Sequence, residues 1–411
     1  MKTVLLPIAA LLLSAALLLT GHGLQLTLLP LSAEAYGFSA AQIGLTGSTY
    51  FSGFVTGCLL TPFIVRRVGH IRAFAVLATS YSALVLLYHE LPYLLPWLAI
   101  RFFSGVAISG LYMVIESWLS ERSTAQNRGM VLSIYVMINL SMVTVGQQLI
   151  NLAPIDNHLL FVVTAVLLSL AIIPVSLTRE LAPAPISNVT INVRKVWRLS
   201  KVGLGGAIIA GLVTGAFWSL GPLYARGMGL DGFDLTFFLG IVVIGGAVFQ
   251  LPLGRLSDHY DRRLIVFFTA LSGTVLSLLL VVLPLLTTWS LLLPAFLWGG
   301  SVMTLYAICL AHANDRAAPE DFVMVGSVML LSMGLFSAIG SYLASMLMEL
   351  AGPQGLFVFS AVCLLVFALA IAARRRIHVL PIQDETEPFR PVTETLTPVA
   401  LELDPRTESE S

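Results

Sequence analysis

Two ionisable residues, Arg101 and Glu116, stand in one stretch of otherwise apolar and small residues that is long enough to cross a membrane. A charged side chain in hydrocarbon is costly, so such residues usually face a protein interior and mark a substrate or ion pathway. Arg101 can bind an anionic group or respond to a carboxylate that gains and loses a proton. Glu116 can carry a proton itself. The alternative for Arg101 is an ion pair that only packs helices together. The alternative for Glu116 is an interfacial position in which it bonds to a neighbouring helix or to Arg122.

Fifteen residues separate the two groups, which is about 22 Å along a helix, so they do not pair directly. His22 and Gln25 lie one turn apart on another apolar stretch and therefore share a helix face. An imidazole with a pKa of about 6.5 can also carry a proton, although a helix-to-helix hydrogen bond explains the pair nearly as well. Further candidates to line a cavity, with packing as the alternative for each, are Gln147, Gln148, Trp218 and Tyr306.

The elements that must position these residues are transmembrane helices. Of the 411 residues, 57% are hydrophobic and 11% are charged, against about 25% charged residues in soluble domains. A membrane-spanning helix needs about 20 mostly apolar residues. Twelve such spans are predicted, beginning near residues 5, 42, 73, 94, 129, 159, 202, 235, 264, 289, 322 and 354. The runs are too long and too uniformly apolar for barrel strands.

Basic residues fix the predicted topology, because cytoplasmic loops carry an excess of Lys and Arg. All of them except Arg226 and Arg101 fall on one side if both termini are cytoplasmic. The 22 basic and 22 acidic residues balance, which gives no reason to expect a nucleic-acid partner. The three cysteines, Cys58, Cys309 and Cys363, lie in apolar spans, so neither a disulfide framework nor a metal site is indicated. No cofactor is predicted.

An internal repeat organises the chain into two halves. At an offset of 192, Gly23 matches Gly215 and Pro30 matches Pro222; at an offset of 194, further pairs match between the fourth to fifth and the tenth to eleventh spans. The predicted parts are an N-terminal six-helix half (1–178), a cytoplasmic linker (179–201), a C-terminal six-helix half (202–376) and a tail (377–411). The tail is rich in acidic residues, Pro, Ser and Thr, which predicts disorder.

The connection between the second and third spans of the second half carries the charge cluster GRLSDHYDRR. Six plus six spans with this cluster resemble the major facilitator superfamily of secondary transporters. The family's loop pattern is matched at Gly254, Asp258, Arg262 and Arg263, with Arg255 in a commonly basic position. The first-half copy, PFIVRRVGHIR, keeps Gly69 and Arg72 but has Arg66 in the acidic position. Arg101 and Gly105 are similar to the family's RxxxG element in the fourth span.

The resemblance implies that each loop closes the cytoplasmic side by docking against a helix of the other half. Asp258 would then face the start of the fifth span, where Arg128 adds a positive charge to the positive end of the helix dipole. The first-half loop has the reversed charge, so we expect Arg66 or Arg67 to pair with Glu320 or Asp321 at the start of the eleventh span. The alternative is that Arg66 only enforces the topology.

The resemblance therefore predicts an all-α membrane protein with twelve transmembrane helices in two pseudo-symmetric halves. The expected function is secondary transport of a small organic molecule by alternating access, as proton-coupled export, by a monomer in a bacterial inner membrane. Gly146 is followed by Gln147 rather than the proline common in drug antiporters of this family, which weakens that assignment. Uptake of a sugar or other metabolite is the alternative. A non-transporting receptor or scaffold would not need Arg101 and Glu116, and the sequence has no nucleophile–base pair typical of an enzyme.

Overall fold

The computed structural model describes residues 2–123, 127–177, 191–283, 288–318, 321–377 and the single tail residue Thr397. Every regular element in these ranges is helical. The helices are α1 (Lys2–Ala35), α2 (Ala40–Val68), α3 (His70–Glu90), α4 (Leu94–Glu121), α5 (Arg128–Gln148), α6 (His158–Leu170), α7 (Ile172–Ser176), α8 (Val193–Leu199), α9 (Lys201–Gly227), α10 (Gly232–His259), α11 (Arg262–Val282), α12 (Leu292–Asn314), α13 (Phe322–Ala351) and α14 (Gly355–Ile377).

The described part of the chain contains twelve spans long and apolar enough to cross a membrane, with α6 and α7 forming one of them. Their starts lie within three residues of the predicted ones, because a long apolar run bounded by charges or Gly marks a membrane helix clearly. The all-α prediction is confirmed. Residues 178–190, which include about half of the predicted linker, and all of the predicted disordered tail except Ile377 and Thr397 lie outside the described residues.

Contacts between Cα atoms divide the chain into two units. The first contains Met1–Phe38, Thr49–Thr190 and Thr397; the second contains Ser39–Ser48 and Ile191–Glu394, which is described as far as Ile377. The start of α2 thus belongs to the second unit, although the sequence places it in the first half. Glycines are the reason: a Cβ on Gly44 would lie 2.0 Å from Ser345 Oγ, and a Cβ on Gly47 would lie 2.2 Å from Ser219 Oγ.

The internal repeat is visible as the same close helix contact in each unit. A Cβ built on Gly146 of α5 would lie 2.1 Å from the backbone oxygen of Thr20 on α1. In the second unit, a Cβ on Gly340 of α13 would lie 2.1 Å from the backbone oxygen of Leu212 on α9. These positions correspond at the two repeat offsets. Small residues let membrane helices approach backbone to backbone, so the glycines fix equivalent helix pairs.

The turns after the first helix of each unit also correspond. Gly37 follows α1 with a φ of 84°, and Gly229 follows α9 with a φ of 82°. Glycine adopts this left-handed conformation without the steric cost that a Cβ imposes. Gly37 and Gly229 are 192 positions apart, at the first repeat offset, so they mark matched turns, which supports two pseudo-symmetric halves.

The contact between α2 and α4 gives a stability prediction. A Cβ on Gly105 would lie 2.1 Å from the backbone oxygen of Tyr50, so we expect Gly105→Ala to lower the free energy of unfolding by about 1–3 kcal/mol through overpacking. Gly205→Ala is the matched control, because the nearest neighbour of its Cβ is 3.5 Å away and alanine favours helix by up to about 1 kcal/mol. Thermal unfolding in detergent measures both. Equal melting temperatures for the two variants would contradict the close contact.

Candidate functional site

Helix α4 carries both ionisable candidates, and it is buried on nearly all sides between Ala107 and Ser120. Arg101 is 3% exposed and Glu116 is 0% exposed. Polar side chains from α1, α2, α3 and α5 of the first unit surround them. The sequence prediction that these groups face a protein interior therefore agrees with their burial, whereas their roles stay predictions.

Arg101 has aromatic rather than acidic neighbours. Its guanidinium carbon lies 5.0 Å from the ring centroid of Tyr50, within the range of a cation–π interaction. The Tyr88 hydroxyl interacts with the guanidinium and lies 3.3 Å from Ser104 Oγ. Among the described residues, no hydrogen-bond partner reaches Arg101 Nε or Nη1. Two buried donors of a cation are thus left open to an acceptor.

His22 and Gln25 are joined by a residue that the sequence did not single out, Tyr81. The Tyr81 hydroxyl donates to Gln25 Oε1 and lies 2.8 Å from His22 Nδ1. Since a hydroxyl has a single hydrogen, Nδ1 must donate to the Tyr81 oxygen. His22 Nε2 lies 3.4 Å from the Tyr50 hydroxyl. The imidazole therefore connects the Tyr81 hydroxyl to the tyrosine whose ring lies beneath Arg101.

Glu116 is the centre of a second polar cluster, fifteen residues after Arg101 on α4. The Tyr135 hydroxyl donates to Glu116 Oε1 at 3.4 Å. Thr397 donates twice to Oε2, from its backbone N–H at 2.9 Å and from its hydroxyl. Asn139, one turn after Tyr135, is also buried. The carboxylate therefore receives donors on both oxygens in a fully buried position.

Tyr112 lies between the two clusters. Its ring is edge-on to the His22 ring with the centroids 6.4 Å apart, and it precedes Glu116 by four residues, on the same face of α4. The polar groups consequently form a series that runs from Arg101 through Tyr50, His22 and Tyr112 to Glu116. All members belong to the first unit. The series lies between the two ionisable groups that are too far apart to pair.

The other predicted cavity residues are distributed over both units. Gln147 is buried on α5, and its Oε1 has no hydrogen-bond partner among the described residues. Gln148 ends the same helix. Trp218 and Tyr306 lie in the second unit. Trp218 is half-buried against Phe217, with the ring centroids 5.8 Å apart, and Tyr306 is buried.

Arg262 is the centre of the charged loop in the second unit. Its Nη2 binds Asp258 Oδ1 at 2.8 Å and its Nη1 binds Asp315 Oδ1 at 2.9 Å. The Arg262 and Asp315 side chains are 2% and 5% exposed, so their bridge is shielded from solvent, whereas Asp258 is 20% exposed. Asp315 was not predicted. The side chain of Arg128 lies outside the described residues, and its docking with Asp258 stays a prediction.

Gly69 precedes α3 with a φ of 80°, which makes the tight turn after Arg66 and Arg67 possible. Gly254 is buried and Arg255 is exposed on α10, while the backbone of Arg263 donates to Asp261 Oδ1 at 2.9 Å. Asp321 is bound by Lys195 Nζ at 2.7 Å. Glu320 lies outside the described residues, so the proposed pairing with Arg66 or Arg67 stays a prediction.

Sequence reasoning missed five buried tyrosines of the first unit: Tyr50, Tyr81, Tyr88, Tyr112 and Tyr135. A usable signal was present for some of them. Tyrosine is enriched at the membrane–water interface, so a tyrosine well inside a span, such as Tyr112 or Tyr135, is unusual. The four-residue spacing of Tyr112 and Glu116 points to the same face. In the described residues, no three His, Cys, Asp or Glu side chains are grouped to hold a metal.

These features define a class of protein: a polytopic α-helical membrane protein with a series of buried polar groups in one of its two units. The family model described as Major Facilitator Superfamily matches residues 11–327 and 203–402. The chain belongs to the major facilitator superfamily, a family of membrane transporters.

Relatives and solved structures agree with this membership. The MFS-type transporter YcaD of Escherichia fergusonii is 30% identical over 376 residues, covering 89% of this chain and 95% of the relative. YcaD of Salmonella typhimurium is 27% identical over 380 residues, covering 90% and 96%. The nucleoside transporter NupG has a similar structure, with a TM-score of 0.76, 14% identity, and coverage of 89% of this chain and 98% of NupG.

A second similar structure is a bacterial homologue of the human lysosomal transporter Spinster in an inward-facing, occupied conformation. It has a TM-score of 0.72 and 14% identity, and the match covers 90% of this chain and 95% of that one. At such low identity, the two structures establish the shared fold. They do not transfer a substrate to this chain.

Proposed function

We propose that the protein is a monomeric secondary transporter of the bacterial inner membrane that exports a small organic molecule in exchange for protons. The observation that carries the proposal is the buried series from Arg101 to Glu116. Membership of a family of transporters supports transport as the function, and the bacterial relatives support a bacterial membrane. Ionisable groups are retained inside membrane helices where they serve substrates or protons.

Exchange follows from the chemistry of Glu116. Its Oε2 already accepts hydrogen bonds from an N–H and an O–H group. A proton on this oxygen would remove acceptor capacity and add a donor. A proton and a donor-bearing molecule therefore compete for one carboxylate, and release of one accompanies binding of the other. With protons moving inward, that competition drives the organic molecule outward.

The tyrosines and His22 supply a route between the two ends of the series. Hydroxyl and imidazole groups both donate and accept hydrogen bonds, and chains of such groups serve as proton relays in membrane transporters. Tyr112 is the link between the His22 cluster and the Glu116 cluster. Arg101, with two open donors, would bind an anionic or acceptor group of the transported molecule at the other end.

The orientation we propose has both termini in the cytoplasm. It places Arg66, Arg67, Arg255 and Arg263 on the cytoplasmic side, as the positive-inside rule favours. Accessibility of single engineered cysteines at loop positions to a membrane-impermeant reagent would test it. Labelling of the loop between α2 and α3 from outside the cell would contradict this orientation.

A screen on reconstituted vesicles tests the function. The vesicles carry an imposed proton gradient, and the panel contains nucleosides, sugars, organic cations and organic anions. We expect gradient-driven movement of at least one class, opposite in direction to the proton gradient. Movement in the same direction as protons would assign uptake. Transport that is indifferent both to the gradient and to Glu116→Gln would remove the proton-coupling claim.

The two loops are proposed to close the cytoplasmic side with opposite polarity, which gives a charge-swap prediction. Arg66→Asp is expected to impair transport, and adding Asp321→Arg is expected to restore it, as measured by solute flux in vesicles. Lys195→Gln is the control, because Lys195 binds Asp321 within the second unit. Failure of the double variant to recover, with Lys195→Gln active, would rule out the pairing of Arg66 with Asp321.

A further inference from the structure

The Glu116 carboxylate is occupied by a residue from the far end of the chain. Thr397 lies 281 positions later in the sequence, yet its N–H and its hydroxyl both donate to Glu116 Oε2. Both residues are 0% exposed. We propose that the Glu116 site is a docking site for the carboxyl-terminal tail, with Thr397 as the docking residue.

The contact satisfies polar groups on both partners. A buried backbone N–H or hydroxyl without an acceptor is destabilising, as is a buried carboxylate without donors. Thr397 offers two donors that are separated by only two carbon atoms, and a single oxygen of Glu116 accepts both. Such a donor pair fits Ser or Thr, the residues that carry a hydroxyl next to a backbone N–H. The site therefore selects for a Ser or Thr residue in the tail.

Tail docking changes what Glu116 can bind. While Thr397 is bound, Oε2 is unavailable to another donor, so a transported molecule or a proton must displace the tail. This consequence rests on the proposed function, whereas the docking itself does not. The bound tail therefore competes with protons and with transported molecules for Glu116 Oε2.

A graded series of full-length variants tests the docking without any transport assay. The probe is dicyclohexylcarbodiimide, which modifies protonated carboxyl groups in apolar surroundings; mass spectrometry of the peptide that contains Glu116 gives the rate of modification. Thr397→Ser keeps both donors and should match the native protein. Thr397→Val keeps only the N–H, and Thr397→Pro removes both donors. Thr395→Val, two positions earlier in the tail, is the matched control.

We expect modification of Glu116 to be faster by about tenfold in Thr397→Val, the factor that one hydrogen bond to a charged group represents, and faster still in Thr397→Pro. Thr397→Ser and Thr395→Val should stay at the native rate. Equal rates for all the variants would overturn the docking, and so would an equal increase in Thr395→Val. Because the readout is modification, a graded series in a protein that proves not to couple to protons would still support docking.

Discussion

Glu116→Gln is expected to abolish proton-driven transport while solute exchange across the membrane continues. Glutamine has nearly the same shape as a protonated glutamic acid but cannot release a proton. The amide oxygen can take the position of Oε2 and still accept from a transported molecule, while the amide N–H donates to the Tyr135 hydroxyl oxygen, which lies 3.4 Å from Oε1 in the native protein. Two measurements in vesicles separate these effects. Accumulation of the solute against its gradient reports coupling to protons, and exchange of the solute at equal concentrations reports translocation.

The matched control for this variant is Glu121→Gln on the same helix. Glu121 is the last residue of α4 and is exposed, so neutralising it should leave both accumulation and exchange near the native level. Loss of exchange in Glu116→Gln would mean that the carboxylate is needed for translocation itself. Proton-driven accumulation at the native level in Glu116→Gln would remove Glu116 from the coupling mechanism.

Arg101→Met is expected to abolish transport and to raise stability. A buried charge with no opposite charge nearby costs several kcal/mol. The cation–π contact with Tyr50 returns only about 1–2 kcal/mol, and the described residues offer no acceptor to Nε or Nη1. Methionine fills a similar volume without the charge, so we expect unfolding to require about 1–4 kcal/mol more. Thermal unfolding in detergent, combined with flux in vesicles, measures both effects.

Two further variants sharpen the Arg101 prediction. Arg72→Met removes an exposed arginine of α3, and it should change neither stability nor flux by much. Arg101→Lys keeps the charge but loses the planar guanidinium that stacks on Tyr50, so it should not restore transport. A destabilised Arg101→Met would show that the guanidinium holds the helices together, which is the packing role left open by the sequence.

The sequence alone predicted the helices well because their signal is local. Span starts were correct within three residues, and the matched glycines at 37 and 229 mark equivalent turns. The candidates Arg101 and Glu116 could also be identified from the sequence, since a charge in an apolar run is visible without any tertiary information. The apolar composition of membrane helices thus makes both the architecture and the buried ionisable residues predictable.

The connections between these residues were not predictable, because they depend on which helices pack together. Tyr81 on α3 joins His22 to Gln25 across helices, and Asp315 reaches Arg262 over 53 positions. The position of Thr397 was the hardest to predict from the sequence. A polar, proline-containing tail is typical of a solvated segment, and no local pattern indicates an acceptor 281 positions away.

The most direct measurement is of proton movement itself. Vesicles containing the protein and a trapped pH-sensitive dye are given an outward gradient of a transported solute, with no initial pH difference. In the native protein, solute leaving the vesicles should draw protons in and acidify the lumen, and in Glu116→Gln the solute should move without acidification. Solute efflux without acidification in the native protein, or equal acidification in Glu116→Gln, would contradict proton exchange at Glu116.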